Sequence, residues 1–266
     1  MNTLALRYDR NVRLFGPEGQ GKLQRTSAFV AGVGGLGSPL VQHLALLGVG
    51  KITLVEPEEL DETNRNRFVG ARFEDPVPGS PKARLSARLV REINPEIAVT
   101  EIPLPLVSRE AFDAVKAADW VFGCFDEDGP RFILNELCAA YSKPYVDLAS
   151  DVPESDKYGG RVCTAWRGRG CLNCLGLLDH GDVHRYLSSY AELEKRRAIY
   201  GIDREVLGEI GPSVSPINGV IAGLAATEFM AAATGMRDPA RFVEYRGWIS
   251  KVVVNTDPPK TSCYYC

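Results

Sequence analysis

The chain has 266 residues, of which 45% are apolar and 24% charged, and its 31 basic and 34 acidic side chains leave a net charge of −3. That length suffices for a sizeable buried core and the composition is that of an ordinary globular protein, with one domain over residues 1–266 as the expectation. A near-balanced charge gives no global attraction for nucleic acid or an anionic membrane, so neither is an expected partner and any anion binding must be local.

At the N-terminus Arg7, Asp9, Arg10 and Arg13 interrupt the apolar run that a signal peptide needs. The longest apolar stretch, residues 216–235, contains Asn218 and Glu228, which suits a buried helix better than a membrane span. Seven cysteines, an odd number, argue against a secreted disulfide scaffold. A cytoplasmic location is expected.

Short β-rich runs at residues 28–31, 52–55, 97–102, 120–124 and 145–148 alternate with helical patterns at 38–47, 81–93, 109–117 and 130–141. This rhythm predicts an α/β fold, a Rossmann-like doubly wound and mostly parallel sheet. Further strands at 159–166, 242–249 and 251–255 predict an antiparallel C-terminal extension, because turns rather than crossover helices can join the last two. Between them, residues 175–211 form a long polar crossover segment with a helical patch at 190–200, a length typical of a lid or a functional loop.

The run Gly32-Val33-Gly34-Gly35-Leu36-Gly37 follows the first strand and opens the first helix of that rhythm. In that context Gly32 permits a tight turn, Gly34 lets the backbone approach a phosphate, and Gly37 allows close packing of helix on strand. Glu56 ends the second strand, where a carboxylate can accept from ribose hydroxyls; these features alone do not separate NAD from ATP. A second glycine run, Gly16-Pro17-Glu18-Gly19-Gln20-Gly21-Lys22, matches seven positions of a Walker loop, but Leu23 stands where a hydroxyl should hold magnesium and the run precedes the first strand. It is rejected.

Asn64, Asn66, Arg67, Lys82 and Asp126 all fall near predicted strand ends, which in an open α/β sheet face the ligand crevice. Arginine can clamp phosphate oxygens, lysine supplies a point charge, and a strand-end carboxylate can hold magnesium. Hydride transfer by a nicotinamide-dependent oxidoreductase would leave this group unused.

The order Arg7-Tyr8-x-Arg10, Gly32 to Ser38, Asn64-x-Asn66-Arg67, Pro81-Lys82, Cys124-x-Asp126 and Gly219-Val220-Ile221 resembles the ThiF/HesA/MoeB superfamily of ubiquitin-activating-like adenylyltransferases over almost the whole chain. The resemblance implies ATP-dependent adenylation of the C-terminal glycine carboxylate of a ubiquitin-like or sulfur-carrier protein. It implies that Arg67 and Lys82 bind phosphates, Asp126 organises Mg2+, Glu56 holds the ribose, and Arg10 reaches into the other subunit of a homodimer. A relative that adenylates a small peptide or a tRNA-linked carboxylate would use the same ATP chemistry.

Cys171-x-x-Cys174 and Cys263-x-x-Cys266 are two pairs with the spacing of a tetrahedral Zn2+ site. Four protein ligands leave no open position, so the zinc would be structural and would staple the end of the sequence to the body. Cys124, Cys138 and Cys163 fall in apolar patterns and are expected to be buried. No cysteine lies between Leu175 and Ser262, where thioester-forming relatives carry theirs, so adenylation without covalent transfer is expected, with Cys124 a remote alternative.

Overall fold

The computed structural model describes residues 6–154, 156–188, 213–256 and 263–264. Helix α1 (Asp9–Arg25) leads into β1 (Ser27–Ala31), α2 (Gly37–Leu47), β2 (Lys51–Val55), α3 (Lys82–Ile93), β3 (Ala98–Ile102), α4 (Arg109–Ala117), β4 (Trp120–Gly123), α5 (Asp128–Ala140) and β5 (Tyr145–Glu154). Then come β6 (Lys157–Ala165), α6 (His180–Leu187), α7 (Ser215–Thr234), β7 (Phe242–Arg246) and β8 (Lys251–Asn255). The strands form one sheet in the order β3-β2-β1-β4-β5-β6-β7-β8. Pairing is parallel from β3 to β5 and antiparallel from β5 to β8, as the sequence rhythm predicts.

The parallel strands read as continuous apolar runs because both faces are covered. Along β1, Ala28 and Val30 join one core cluster with Leu40, Val41 and Leu44 of α2 and with Ala225 and Phe229 of α7. Phe29 and Ala31 join the other, with Val115 of α4 and Leu134 of α5. Helix α7 is long and apolar enough to cross a membrane by length and composition, but here it packs against α1, α2, β5 and β6. Its buried Glu228 is satisfied by Arg237 at 2.6 and 2.7 Å and by the Ala240 amide at 2.7 Å.

Three elements depart from the sequence expectation. No helix is predicted before residue 28, yet α1 runs through the Walker-like glycines; it breaks at Phe15 and Gly16, where φ is +74°, and resumes at Pro17. Glycine density hides its helical pattern, and Leu23, the residue that disqualifies the phosphate loop, is a fully buried core residue. The strand expected over 242–249 ends at Arg246, because the short 3-10 turn Gly247–Ile249 and Ser250 at φ +50° reverse the chain into β8. Residues 180–187 form α6, which has no counterpart in the predicted elements, while the expected helical patch at 190–200 lies outside the described residues.

Candidate functional site

Strand β1 lies between β2 and β4, so the crossovers leaving β1 and β4 go to opposite faces and open a crevice at their carboxyl ends. A cleft of about 520 Å³ occupies this switch point, lined by Gly32, Gly34, Gly35, Glu56, Asn64, Arg67, Lys82 and Asp126 among others. Gly32 has φ +80°, and a Cβ there would sit 2.6 Å from the Cys124 carbonyl oxygen. A Cβ on Gly37 would meet the Gly32 oxygen at 2.0 Å, which is the close packing expected of it. At Gly34 a Cβ would meet no protein atom within 4 Å, so the bare backbone faces open cleft, as a phosphate cradle requires.

Glu56 is buried and accepts from the Val33 amide at 3.0 Å through one oxygen and from the Glu58 amide at 3.0 Å through the other. Burial pushes its pKa up, against the two amides and the nearby Lys82 charge, which favour the carboxylate. The residue expected to hold a ribose therefore also clamps the glycine loop to the end of β2, and each oxygen keeps a lone pair for a hydroxyl.

The 3-10 turn Glu62–Asn64 is closed by a capping box in which Asp61 and Asn64 bond each other's backbone. Asn64 spends its side-chain oxygen there and lines the cleft. Arg67 donates to Thr63 O and, at 3.1 Å, to Asn66 Oδ1. Asn66 is exposed and is not among the cleft residues, so it orients Arg67 rather than lining the site. Ser38, at the start of α2, accepts from the Val69 amide at 2.9 Å and ties this segment to the glycine loop. Lys82 opens α3 with its side chain 7% exposed and its amine 2.5 Å from Glu58, which is 69% exposed. Glu58 is a solvated counter-ion that a phosphate could replace.

Asp126 follows β4, is exposed, and borders both this cleft and an adjoining cavity of about 360 Å³ that shares Arg131, Ser150 and Asp151 with it. Its loop is braced from beneath: Arg131 donates to Phe125 O and lies 2.6 Å from Asp147, which also accepts from the Tyr145 hydroxyl at 3.0 Å. Sequence reading misses this network, although an arginine and an aspartate inside otherwise apolar runs are its signal.

Arg10 is not brought to this cleft. The buried Tyr8 beside it accepts from Asn94 at 2.9 Å, and a Cβ on Gly48 would touch the Tyr8 ring, so the start of α1 is anchored at the amino ends of β2 and β3. Arg10 is exposed there, and the local acids pair elsewhere, Asp9 with Arg13 at 2.9 Å and Glu18 with Lys22 at 3.2 Å.

The sulfurs of Cys171, Cys174 and Cys263 lie within 4.8 Å of one another, with Cys171 at 3.6 Å from Cys174 and 3.8 Å from Cys263. Bonded disulfide sulfurs would be about 2.0 Å apart. Thiolates at about 2.3 Å from a tetrahedral zinc are separated by about 3.8 Å, so the three fit such an ion. Cys266 lies outside the described residues. Cys124, Cys138 and Cys163 are buried as expected, and burial pushes each thiol far above its ordinary pKa, which disfavours Cys124 as a nucleophile.

The fold and cleft define a Rossmann-like α/β protein with an open cleft of about 520 Å³ at its switch point. The ThiF family profile matches residues 8–266, and the chain belongs to that family. The SAMP-activating enzyme E1 of Haloferax volcanii is 33% identical over 171 residues, 64% of this chain and 61% of that protein; the match thus spans less than two thirds of that relative's length. The sulfur carrier protein ThiS adenylyltransferase of Escherichia coli is 29% identical over 239 residues, 88% of this chain and 84% of that protein. The crystal structure of E. coli MccB with ATP shares the fold, with a TM-score of 0.73 at 21% identity over 98% of this chain and 74% of that one.

Proposed function

We propose that the protein, acting as one adenylation domain, uses MgATP to adenylate the C-terminal glycine carboxylate of a ubiquitin-like or sulfur-carrier protein. The observation that carries this reading is the convergence of the bare Gly34 backbone, Arg67, Lys82 and Asp126 on one cleft. Two cations and a row of amides suit a triphosphate, and Asp126, exposed between the two cavities, suits a magnesium ion that would neutralise phosphate charge. A nicotinamide enzyme would leave Arg67, Lys82 and Asp126 without work.

In the reaction a carboxylate oxygen of the acceptor attacks the α-phosphorus of ATP. A C–O–P bond forms, the bond between the α-phosphorus and the bridging oxygen breaks, and pyrophosphate leaves. The nucleophile is already ionised, so no protein base is required. Glu56 and the glycine loop position the nucleoside and phosphates, and Arg67 and Lys82 stabilise the developing charge. Arg10 would complete the site from the second subunit of a homodimer, since its own cleft lies at the opposite end of the sheet. A structural zinc on Cys171, Cys174, Cys263 and Cys266 and a cytoplasmic location belong to the same reading.

The test is isotope exchange between ATP and pyrophosphate with a carrier protein ending in Gly-Gly. Exchange should require both magnesium and the carrier. Asp126→Ala, an exposed position, should leave the fold intact and reduce exchange by about a hundredfold or more. Undiminished exchange in that variant removes Asp126 from the mechanism.

A further inference from the structure

The half of the cleft beyond Asp126 differs from the half that holds Arg67 and Lys82. Its wall includes Tyr186 of α6, together with Glu127 and Pro130. Helix α6 opens the crossover segment and is locked to the start of α5 by two reciprocal hydrogen bonds. The Asp128 amide donates to Asp182 Oδ2 at 2.8 Å, and the Asp179 amide donates to Asp128 Oδ2 at 2.7 Å. Asp179 in turn caps α6 by accepting from the Gly181 amide at 2.7 Å.

This lock seats Tyr186 on the backbone of α5. A Cβ added to Gly129 would lie 2.2 Å from Tyr186 Cγ and 2.3 Å from its Cβ, so glycine is required there for room alone. Tyr186 is 41% exposed, lies against α5 at Gly129 and lines the cleft.

The chemistry of that half disfavours a second polyphosphate. Asp126 and Glu127 would repel one, and the guanidinium of Arg131 is already committed to Asp147. A seated aromatic ring with a hydroxyl instead suits a thin, uncharged stretch of chain, giving it a packing surface and one hydrogen-bond partner. The terminal Gly-Gly of such an acceptor carries no charge except its carboxylate, which would pass this wall to reach the α-phosphate.

We infer that Tyr186 is an acceptor-binding residue that contacts the last residues of the incoming tail, and that Gly129 is the seat fixing its ring. This rests on the adenylation reading above. The test uses the full chain, MgATP and a sulfur-carrier protein ending in Gly-Gly, with exchange followed against carrier concentration and ATP binding measured separately by calorimetry. Tyr186→Ala should raise the carrier KM about tenfold while the ATP Kd changes by less than about twofold. Gly129→Ala, which must displace the ring, should reproduce that rise.

An unchanged carrier KM in Tyr186→Ala overturns the inference. So does a weakened ATP Kd with an unchanged carrier KM, which would give the ring to the nucleotide. If the unmodified protein binds ATP but shows no carrier-dependent exchange, the adenylation reading itself fails, and the role of Tyr186 falls with it. Tyr186→Ala is a partly exposed truncation, so its thermal melting should stay near that of the unmodified protein and separate lost binding from lost fold.

Discussion

The guanidinium of Arg131 meets the carboxylate of Asp147 at 2.6 Å in the interior, with the two side chains 4% and 0% exposed. This pair underlies the loop from Cys124 to Asp128 through the bond from Arg131 to Phe125 O, so the position of Asp126 depends on groups that are almost entirely buried. Asp147→Ala would leave the buried Arg131 with only Phe125 O and the more distant Asp128 carboxylate at 3.5 Å, at a cost of about 3 kcal/mol. Urea unfolding should show a loss of that size. A loss below about 1 kcal/mol would mean that water or another group replaces the carboxylate.

Asp75 and Arg88 brace the loop that joins Arg67 to Lys82. The two Asp75 oxygens lie 2.6 and 2.7 Å from Arg88, which also donates to Gly70 O at 2.8 Å. The hydrogen bonds from Arg88 hold the Asp75 carboxyl at about 2, below its ordinary value. A depressed carboxylate pKa stabilises the fold above the unfolded value, and that contribution fades as pH falls through the folded one. Asp75→Asn should therefore melt lower than the unmodified protein at neutral pH, and the gap should close as pH falls from about 4 to about 2. A gap that stays constant over that range would assign the effect to packing.

If Arg10 acts across a dimer, complementation follows. Arg10→Ala and Arg67→Ala homodimers should each be inactive in carrier-dependent exchange. Mixed and allowed to exchange subunits, about half the dimers would be hybrids with one intact site apiece, so activity should partly return. Verified hybrids as inactive as either parent would end the shared-site proposal and leave the adenylation chemistry untouched.

The spacing of the Cys171, Cys174 and Cys263 sulfurs predicts one zinc per chain by elemental analysis, removable by a strong chelator. Removal, or Cys171→Ser, should lower the melting temperature by roughly 5 °C or more. Metal-free protein with those thiols joined as disulfides would contradict the site.

The alternation of short apolar runs with helical patterns specified the α/β class, and the spacing of Gly32, Gly34 and Gly37 after β1 specified the tight glycine turn into α2. Both are legible because they are local: strand, turn and helix N-terminus are set within a few residues of one another. The same holds for the candidates Glu56, Lys82 and Asp126, each of which follows a strand or opens a helix, whereas Arg67 lies inside the long loop between β2 and α3. The Arg131–Asp147 brace, the seat of Tyr186 on Gly129 and the anchoring of Tyr8 by Asn94 belong to tertiary structure alone. Tyr8 and Asn94 are 86 residues apart and no spacing rule links them, whereas the repeated C-x-x-C spacing does link Cys171 and Cys263 across 92 residues. Arg10 shows the same division. Its residue type is plain in the sequence, but only the packing of α1 at the amino ends of β2 and β3 puts it beyond reach of its own cleft, because a side chain acts where its backbone is held.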